Sequence, residues 1–310
     1  MTVQNASVLP VPVGQIDRKT YLGSADIAAI FGCEDAFSSP YGVWAKKLGL
    51  TPSTEISEAM RVGIILEAYI LDRYGREENA KVGGQQVFYR HPDWDFLGCT
   101  IDGLIFDQVG NPLRIVEAKT TRDWSWTEVP LSYEAQVQWQ MGVSGIYEAD
   151  LTVLHRPDLS LKTYRMTFNP SIYAALEERA IDFWFGHVQA GVPPAVDGTA
   201  STTEALKSIA ADPGKEVAID NLAQRLEALK QVKSVIQQQE ELKDQIENEI
   251  RLALGHAETG LIDGQKAVTW KTQKTTRFDS KRFKEEQPET YGQFQVSSES
   301  RVLRILKAGK

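Results

Sequence analysis

Apolar positions recur along this chain with two periods, and the switches between them mark its elements. Residues 24–32, Ser-Ala-Asp-Ile-Ala-Ala-Ile-Phe-Gly, read as a short helix stopped by glycine, and a second helix follows near Pro40 to Leu48. A loop at 51–55 leads into a longer helix over about residues 56–75. There Met60, Ile64, Leu71 and Tyr74 form one stripe, and Glu67 falls inside it. Strands are predicted at about 84–90, 98–106 and 113–120, then a helix over 132–144 and strands at about 149–155 and 162–168. Residues 170–191 read as one amphipathic helix closed by Gly191 and Pro193-Pro194. The alternation predicts an α/β core.

The pattern changes character in the last third. From Gly198 to Gly214 the chain turns to Thr, Ser, Ala and Pro, which predicts a linker (198–214) between a domain at 1–197 and an extension at 215–310. Residues 216–254 are rich in Glu, Gln, Lys and Leu. Leu222, Leu229 and Ile236 are seven apart, and Leu242, Ile246 and Ile250 resume helical spacing after a polar break near Gln239. One long coiled-coil-like helix or a helical hairpin is expected. Gly260–Gly264 and Lys266–Lys271 alternate as a short hairpin, and Arg301–Leu306 reads as a last strand.

Composition narrows the class. At 310 residues and 42% hydrophobic, the chain can bury one large core or two modest ones. No segment approaches a membrane span and the first residues lack a basic, then apolar leader, so cytoplasmic residence without a membrane is expected. Cys33 and Cys99 cannot make a disulfide framework, and His91, His155, His187 and His256 have no paired spacing, which argues against zinc and makes each structural or exposed. A net charge of -8 argues against coating of nucleic acid by bulk basicity and leaves a nuclease open. A local patch remains available in Lys271, Lys274, Arg277, Lys281, Arg282 and Lys284, interleaved with Trp270, Phe278 and Phe283, although the same run reads equally as a solvated strand and helix end.

The candidate chemistry lies at 101–119. Period two puts Glu117 and Lys119 on one strand face and Val116 and Ala118 on the other. The turn Gln108-Val-Gly-Asn-Pro112 folds the preceding strand back, so Asp102 approaches Glu117. Carboxylate oxygens suit Mg2+ or Mn2+. A charged strand face is commonly just solvated; here the charges interrupt an apolar run that resembles a buried strand, and buried charge must be paired or bound to metal. Glu67 in its apolar stripe poses the same question, with a salt bridge to a core arginine as the structural answer. In Tyr133-Glu-Ala-Gln-Val-Gln-Trp-Gln-Met141, Gln136 and Gln140 share a face and Gln138 points elsewhere. A glutamine aimed at the metal site can bond a water or a phosphate; otherwise the three mark a half-exposed helix.

Five motifs in order resemble the YqaJ-like phage recombinase family, which includes lambda exonuclease, within the PD-(D/E)xK nuclease superfamily. They are Leu22-Gly-Ser-Ala-Asp-Ile-Ala-Ala-Ile-Phe-Gly32, Gly63-Ile-Ile-Leu-Glu67, Asp102-Gly103, Glu117-Ala-Lys119 and Tyr133 to Met141, over about residues 18–190. The resemblance implies a restriction-endonuclease-like core, a central mixed sheet flanked by helices. It implies Asp102 and Glu117 as metal ligands, and Glu67 as a further acid reaching the metal directly or through water. Lys119 would orient or activate the attacking water, and Gln136 would help position it. Arg18 lies where the family holds a 5′-phosphate. The family's phosphate-binding serine aligns with Ala25 and Ser24 falls one place earlier, so Arg18, Ser24, Gln138 and Gln140 are the substrate-binding candidates.

The implied activity is a 5′-to-3′ exonuclease on linear double-stranded DNA with one or two Mg2+ or Mn2+ per site. It implies a phage or prophage protein in a bacterial host, a homo-oligomer (a trimeric ring) and a single-strand annealing recombinase as partner. An endonuclease or repair nuclease of the same superfamily is the alternative enzyme, and a DNA-binding scaffold the non-catalytic one; the intact acidic set with Lys119 argues against the scaffold. The extension would bind DNA, recruit the partner or build the oligomer, and its heptad-like stripe favours the last two.

Overall fold

The computed structural model describes residues 8–9, 16–51, 58–122, 126–296 and 301–306. The chain divides into two compact units, Met1–Ala210 and Ala211–Lys310. In chain order the first carries β1 (Val8–Leu9), a 3-10 turn at Arg18–Thr20, α1 (Ser24–Phe31), α2 (Pro40–Lys47), α3 (Glu58–Glu77), β2 (Val82–Gly83), β3 (Val87–Arg90) and β4 (Gly98–Ile101). It continues with β5 (Gly103–Phe106), β6 (Pro112–Thr121), α4 (Leu131–Ser144), β7 (Glu148–His155), β8 (Ser160–Thr167), α5 (Pro170–Phe183), a π-helical turn at Trp184–Gln189, and α6 (Ala200–Ser208).

The centre is a mixed five-stranded sheet, ordered β2-β5-β6-β7-β8, with β6 and β7 parallel and the other neighbours antiparallel. A second sheet, β1-β3-β4, lies beside it. Helices flank the sheet, as expected of the fold class. Because side chains alternate along β6, its two faces feed different cores. Ile115 joins the larger cluster with Val137, Trp139 and Met141 of α4, whereas Val116 and Ala118 pack with Ile70, Leu71 and Tyr74 of α3. The larger cluster includes a close helix crossing. A Cβ on Gly142 of α4 would stand 2.0 Å from the Tyr173 ring of α5, so only glycine allows these helices to approach this far.

The expected strand at 98–106 is two strands in two sheets. β4 pairs with β3, β5 pairs with β2 and β6, and the chain changes sheet at Asp102. The strand expected at 84–90 begins only at Val87, with the short β2 before it. The apolar stripe of α3 is only half buried. Leu71 and Tyr74 are in the core, while Met60 and Ile64 are 48% and 60% exposed, because only the segment from Leu66 onward lies over the sheet. Residues 52–57, with most of the expected loop and the first two positions of the expected helix, lie outside the described residues.

The expected linker at 198–214 contains α6, which is tied to the first unit. Thr202 is buried and its hydroxyl donates to Ser39 Oγ at 2.7 Å, beside the N-terminus of α2. The small residues that suggested a linker are what lets this helix sit close to α2.

The second unit carries a 3-10 turn at Asp220–Leu222, α7 (Ala223–Leu254), β9 (Thr259–Ile262), β10 (Gln265–Thr269), α8 (Ser280–Glu286) and α9 (Pro288–Gln293). Of the two expected forms, α7 is one unbroken helix. β9 and β10 pair antiparallel around Asp263-Gly264, whose φ values of 49° and 77° are those a two-residue primed turn requires. Residues 301–306, expected as a strand, form none among the described residues. An isolated alternating run has no sheet edge to complete it.

Candidate active site

The change of sheet at Asp102 builds the site. Gly103 pairs with Val116, and continuing that register sets Asp102 across from Glu117. Asp102 Oδ2 accepts from the Ala118 N–H at 3.0 Å, which ties the carboxylate to the edge of β6. Glu117 and Lys119 leave β6 on the α4 side, and Lys119 Nζ donates to Glu117 Oε1 at 2.5 Å. From α4, Gln136 Nε2 donates to the same oxygen at 2.5 Å and Gln140 Nε2 to Oε2 at 2.7 Å. Gln140 also donates to the Thr100 carbonyl at 3.0 Å, so one amide locks α4, β4 and the buried carboxylate together. Its Oε1 is buried with no hydrogen-bond partner among the described residues.

Glu67 enters from α3 and, among the described residues, pairs with no arginine. Its Oε1 accepts from Gln86 Nε2, which also donates to Asp102 Oδ1 at 3.3 Å. Gln86 has no counterpart in the sequence-based expectations. Both its partners are carboxylates, so its NH2 end must face them. It sits at φ 56°, a left-handed conformation that a non-glycine residue adopts at a cost of about 1 kcal/mol or more. The signal in sequence was faint, a Gly-Gly pair before Gln85-Gln86 where a strand was expected.

Burial pushes Asp102 well above the usual carboxylate range, the neighbouring Glu117 pushes it further, and Lys119 offsets part of this. Glu67 is raised first by burial and then by Glu117, against its bond from Gln86. Burial alone would lower the Lys119 ammonium, but Glu117 and Asp102 more than reverse that and hold it charged. Lys119 Nζ also lies 5.4 Å from the centre of the Tyr133 ring, which in turn packs against Trp126, an aromatic wall that sequence reading missed.

Three carboxylates gather around one ammonium in a partly buried site, and their hard oxygen donors fit Mg2+ or Mn2+. Among the described residues no three His, Cys, Asp or Glu side chains form a ready-made metal cage. Mg2+ sites characteristically use one or two carboxylates and fill the remaining positions with water and substrate oxygens.

Of the substrate-binding candidates only Gln140 touches the acidic cluster. Gln138, expected to bind substrate, points away from Glu117. Its Nε2 donates to the Thr167 carbonyl at 3.0 Å and its Oε1 accepts from the Asn169 N–H at 2.8 Å, so it fastens α4 to the β8–α5 connection. Gln140, also expected on substrate, stays beside Glu117, to which it donates. Arg18 is exposed on the 3-10 turn, and its carbonyl accepts from Lys47 Nζ at 2.7 Å. Ser24 opens α1, buried, with Oγ lacking a partner among the described residues. Neither is hydrogen-bonded to the acidic cluster.

Residues 15–147 match the family model of the YqaJ-like viral recombinase domain. The matched segment contains every carboxylate of the cluster, Lys119 and the glutamines of α4. Across 89% of the chain it is similar to the uncharacterized protein YqaJ of Bacillus subtilis (strain 168), 29% identical over 287 residues and 88% of that protein. Among solved structures it is similar to an alkaline exonuclease from Laribacter hongkongensis, at 21% identity and TM-score 0.45 over 56% of this chain and 91% of that one. It is also similar to a phage-related exonuclease from Haemophilus somnus 129PT, at 12% identity and TM-score 0.42 over 55% of this chain and 94% of that one.

Proposed function

We propose that this YqaJ-like protein is a divalent-metal-dependent deoxyribonuclease, a 5′-to-3′ exonuclease on linear double-stranded DNA that serves phage-type recombination. The convergence of Glu67, Asp102, Glu117 and Lys119 where the chain changes sheet carries the reading. Asp102 and Glu117 are the metal ligands of this proposal, with Glu67 acting directly or through water. One or two Mg2+ or Mn2+, when bound, would activate water for in-line attack and neutralise charge on the leaving oxygen.

The protein's own groups supply the rest. The Lys119 ammonium orients the attacking water and faces the scissile phosphate, while Gln136 and Gln140 fix both oxygens of Glu117. Ser24 supports a 5′-phosphate contact, since its unpartnered hydroxyl sits in the first turn of α1, where helix N–H groups favour anions, and Arg18 lies shortly before it. The family resemblance supports a phage or prophage origin, a bacterial cytoplasmic setting, a homo-oligomer and an annealing protein as partner. No helix among the described residues is long and apolar enough to cross a membrane.

The test is digestion of linear duplex DNA, 5′-phosphorylated or 5′-hydroxyl, beside closed circles, with Mg2+ or EDTA, for wild type and Lys119→Ala. The expected result is Mg2+-dependent loss of linear DNA alone, abolished in Lys119→Ala. Cutting of circles reassigns the protein as an endonuclease, and no cleavage of either leaves a DNA-binding scaffold.

A further inference from the structure

The second unit contains an apolar seam with nothing of its own to cover it. No side chain of α7 is buried, and Ile236, Ile246 and Ile250 are 52%, 49% and 42% exposed along a helix of 32 residues. A single heptad frame runs through it. Leu222, Leu229, Ile236, Lys243 and Ile250 take one core position, and Arg225, Val232, Gln239, Ile246 and Ala253 the other. We propose that α7 pairs with the α7 of a second copy of this chain as an antiparallel coiled coil.

The charges choose the orientation. In the N-terminal half, Arg225, Lys230 and Lys233 outnumber Glu227; in the C-terminal half, Glu240, Glu241, Asp244, Glu247 and Glu249 outnumber Lys243 and Arg251. A parallel pair would stack Arg225 on its copy and Lys243 on its copy inside the seam, and set acidic half against acidic half. Antiparallel pairing reverses both effects, because the basic half of one helix lies along the acidic half of the other.

The register follows from the frame. Each residue of the first set meets one of the second: Leu229 faces Ile246, Ile236 faces Gln239, and Val232 faces the stem of Lys243. The two cations of the seam, Arg225 and Lys243, thus lie opposite apolar side chains. The flanking positions agree with this. Lys233 comes opposite Glu240, and Val235 opposite Leu242, twice each by symmetry. Among the described residues neither Lys233 nor Glu240 is engaged in an ion pair within the helix, unlike Lys230 with Glu227 or Arg251 with Glu247. The proposal does not depend on the nuclease reading.

Disulfide trapping in the full chain tests it, on a Cys33→Ser background. Leu229→Cys and Ile246→Cys, co-expressed on tags of different size and oxidised, should give the mixed covalent dimer. Each alone should give none, because two copies of one position stand about 26 Å apart at 1.5 Å per residue. Self-linking by Leu229→Cys alone would establish the parallel form and overturn the proposal, as would absence of the mixed dimer. Ile246 is exposed and Leu229 half-buried, and far-UV circular dichroism checks that each variant keeps its helix. A charge pair provides the second reading. Lys233→Glu in both copies should cut the yield of mixed dimer severalfold and Glu240→Lys added to both copies should restore it; no response to Lys233→Glu would overturn the register.

Discussion

The two units of this protein handle apolar surface in opposite ways. Among the described residues, every buried side chain lies between Tyr21 and Ala205, whereas the second unit buries none. The first unit excludes water so thoroughly that Glu117, 1% exposed, survives there only through the ammonium and two amides that surround it. The second unit is held locally. Along α7, Gln237 donates to Glu241, Gln245 to Glu249 and Arg251 to Glu247, each worth about 0.2–0.5 kcal/mol. Such pairs keep a 32-residue helix formed without a core, but they leave its apolar stripe in water. Chemistry on buried charge needs the first arrangement, and the second leaves a surface suited to another chain.

Four changes test that contrast. Trp139 is fully buried, and its indole N–H donates to the Gly98 carbonyl at 3.0 Å. Trp139→Ala should destabilise the first unit by about 3–5 kcal/mol in denaturant unfolding. A cost under about 1 kcal/mol would mean that the core tolerates loss of its largest side chain. Lys119→Ala should reduce cleavage of linear duplex by a factor of roughly 10²–10³ or more, about 3–4 kcal/mol at the transition state. Steady-state digestion measures this, and unchanged rates would remove Lys119 from the chemistry.

Gln86→Ala should lower activity or metal affinity by about 10- to 100-fold, as expected for a group that orients the proposed ligands without binding metal itself. Titrating activity against Mg2+ separates the two effects, and wild-type behaviour in both would reduce Gln86 to a loop residue. Smallest of all, Ile236→Asn should shift unfolding of the first unit by no more than about 0.5 kcal/mol, because it lies on a surface of the other unit. A large shift, read by the near-ultraviolet dichroism of the buried aromatics, would show that the units are not energetically separate.

Much of the site was legible because facing directions are local. Period two alone opposed Glu117 and Lys119 to Val116 and Ala118, and the helical period alone put Gln136 and Gln140 together and Gln138 apart. The same logic marked Glu67 as misplaced in its stripe and α7 as a heptad helix. Each of these depends only on the geometry of one element.

What only the tertiary structure decided depends on how elements meet. Nothing in a run of ten residues says that a strand changes sheet at Asp102, yet that step is what brings its carboxylate to β6. Gln86 became part of the site through a left-handed turn and two partners 16 and 19 residues away. Met60 and Ile64 carried the right period and are exposed, because periodicity defines a face without saying how much of it another element covers. Gln138 was directed away from Glu117 by its period, but only the β8–α5 connection determined what it holds instead.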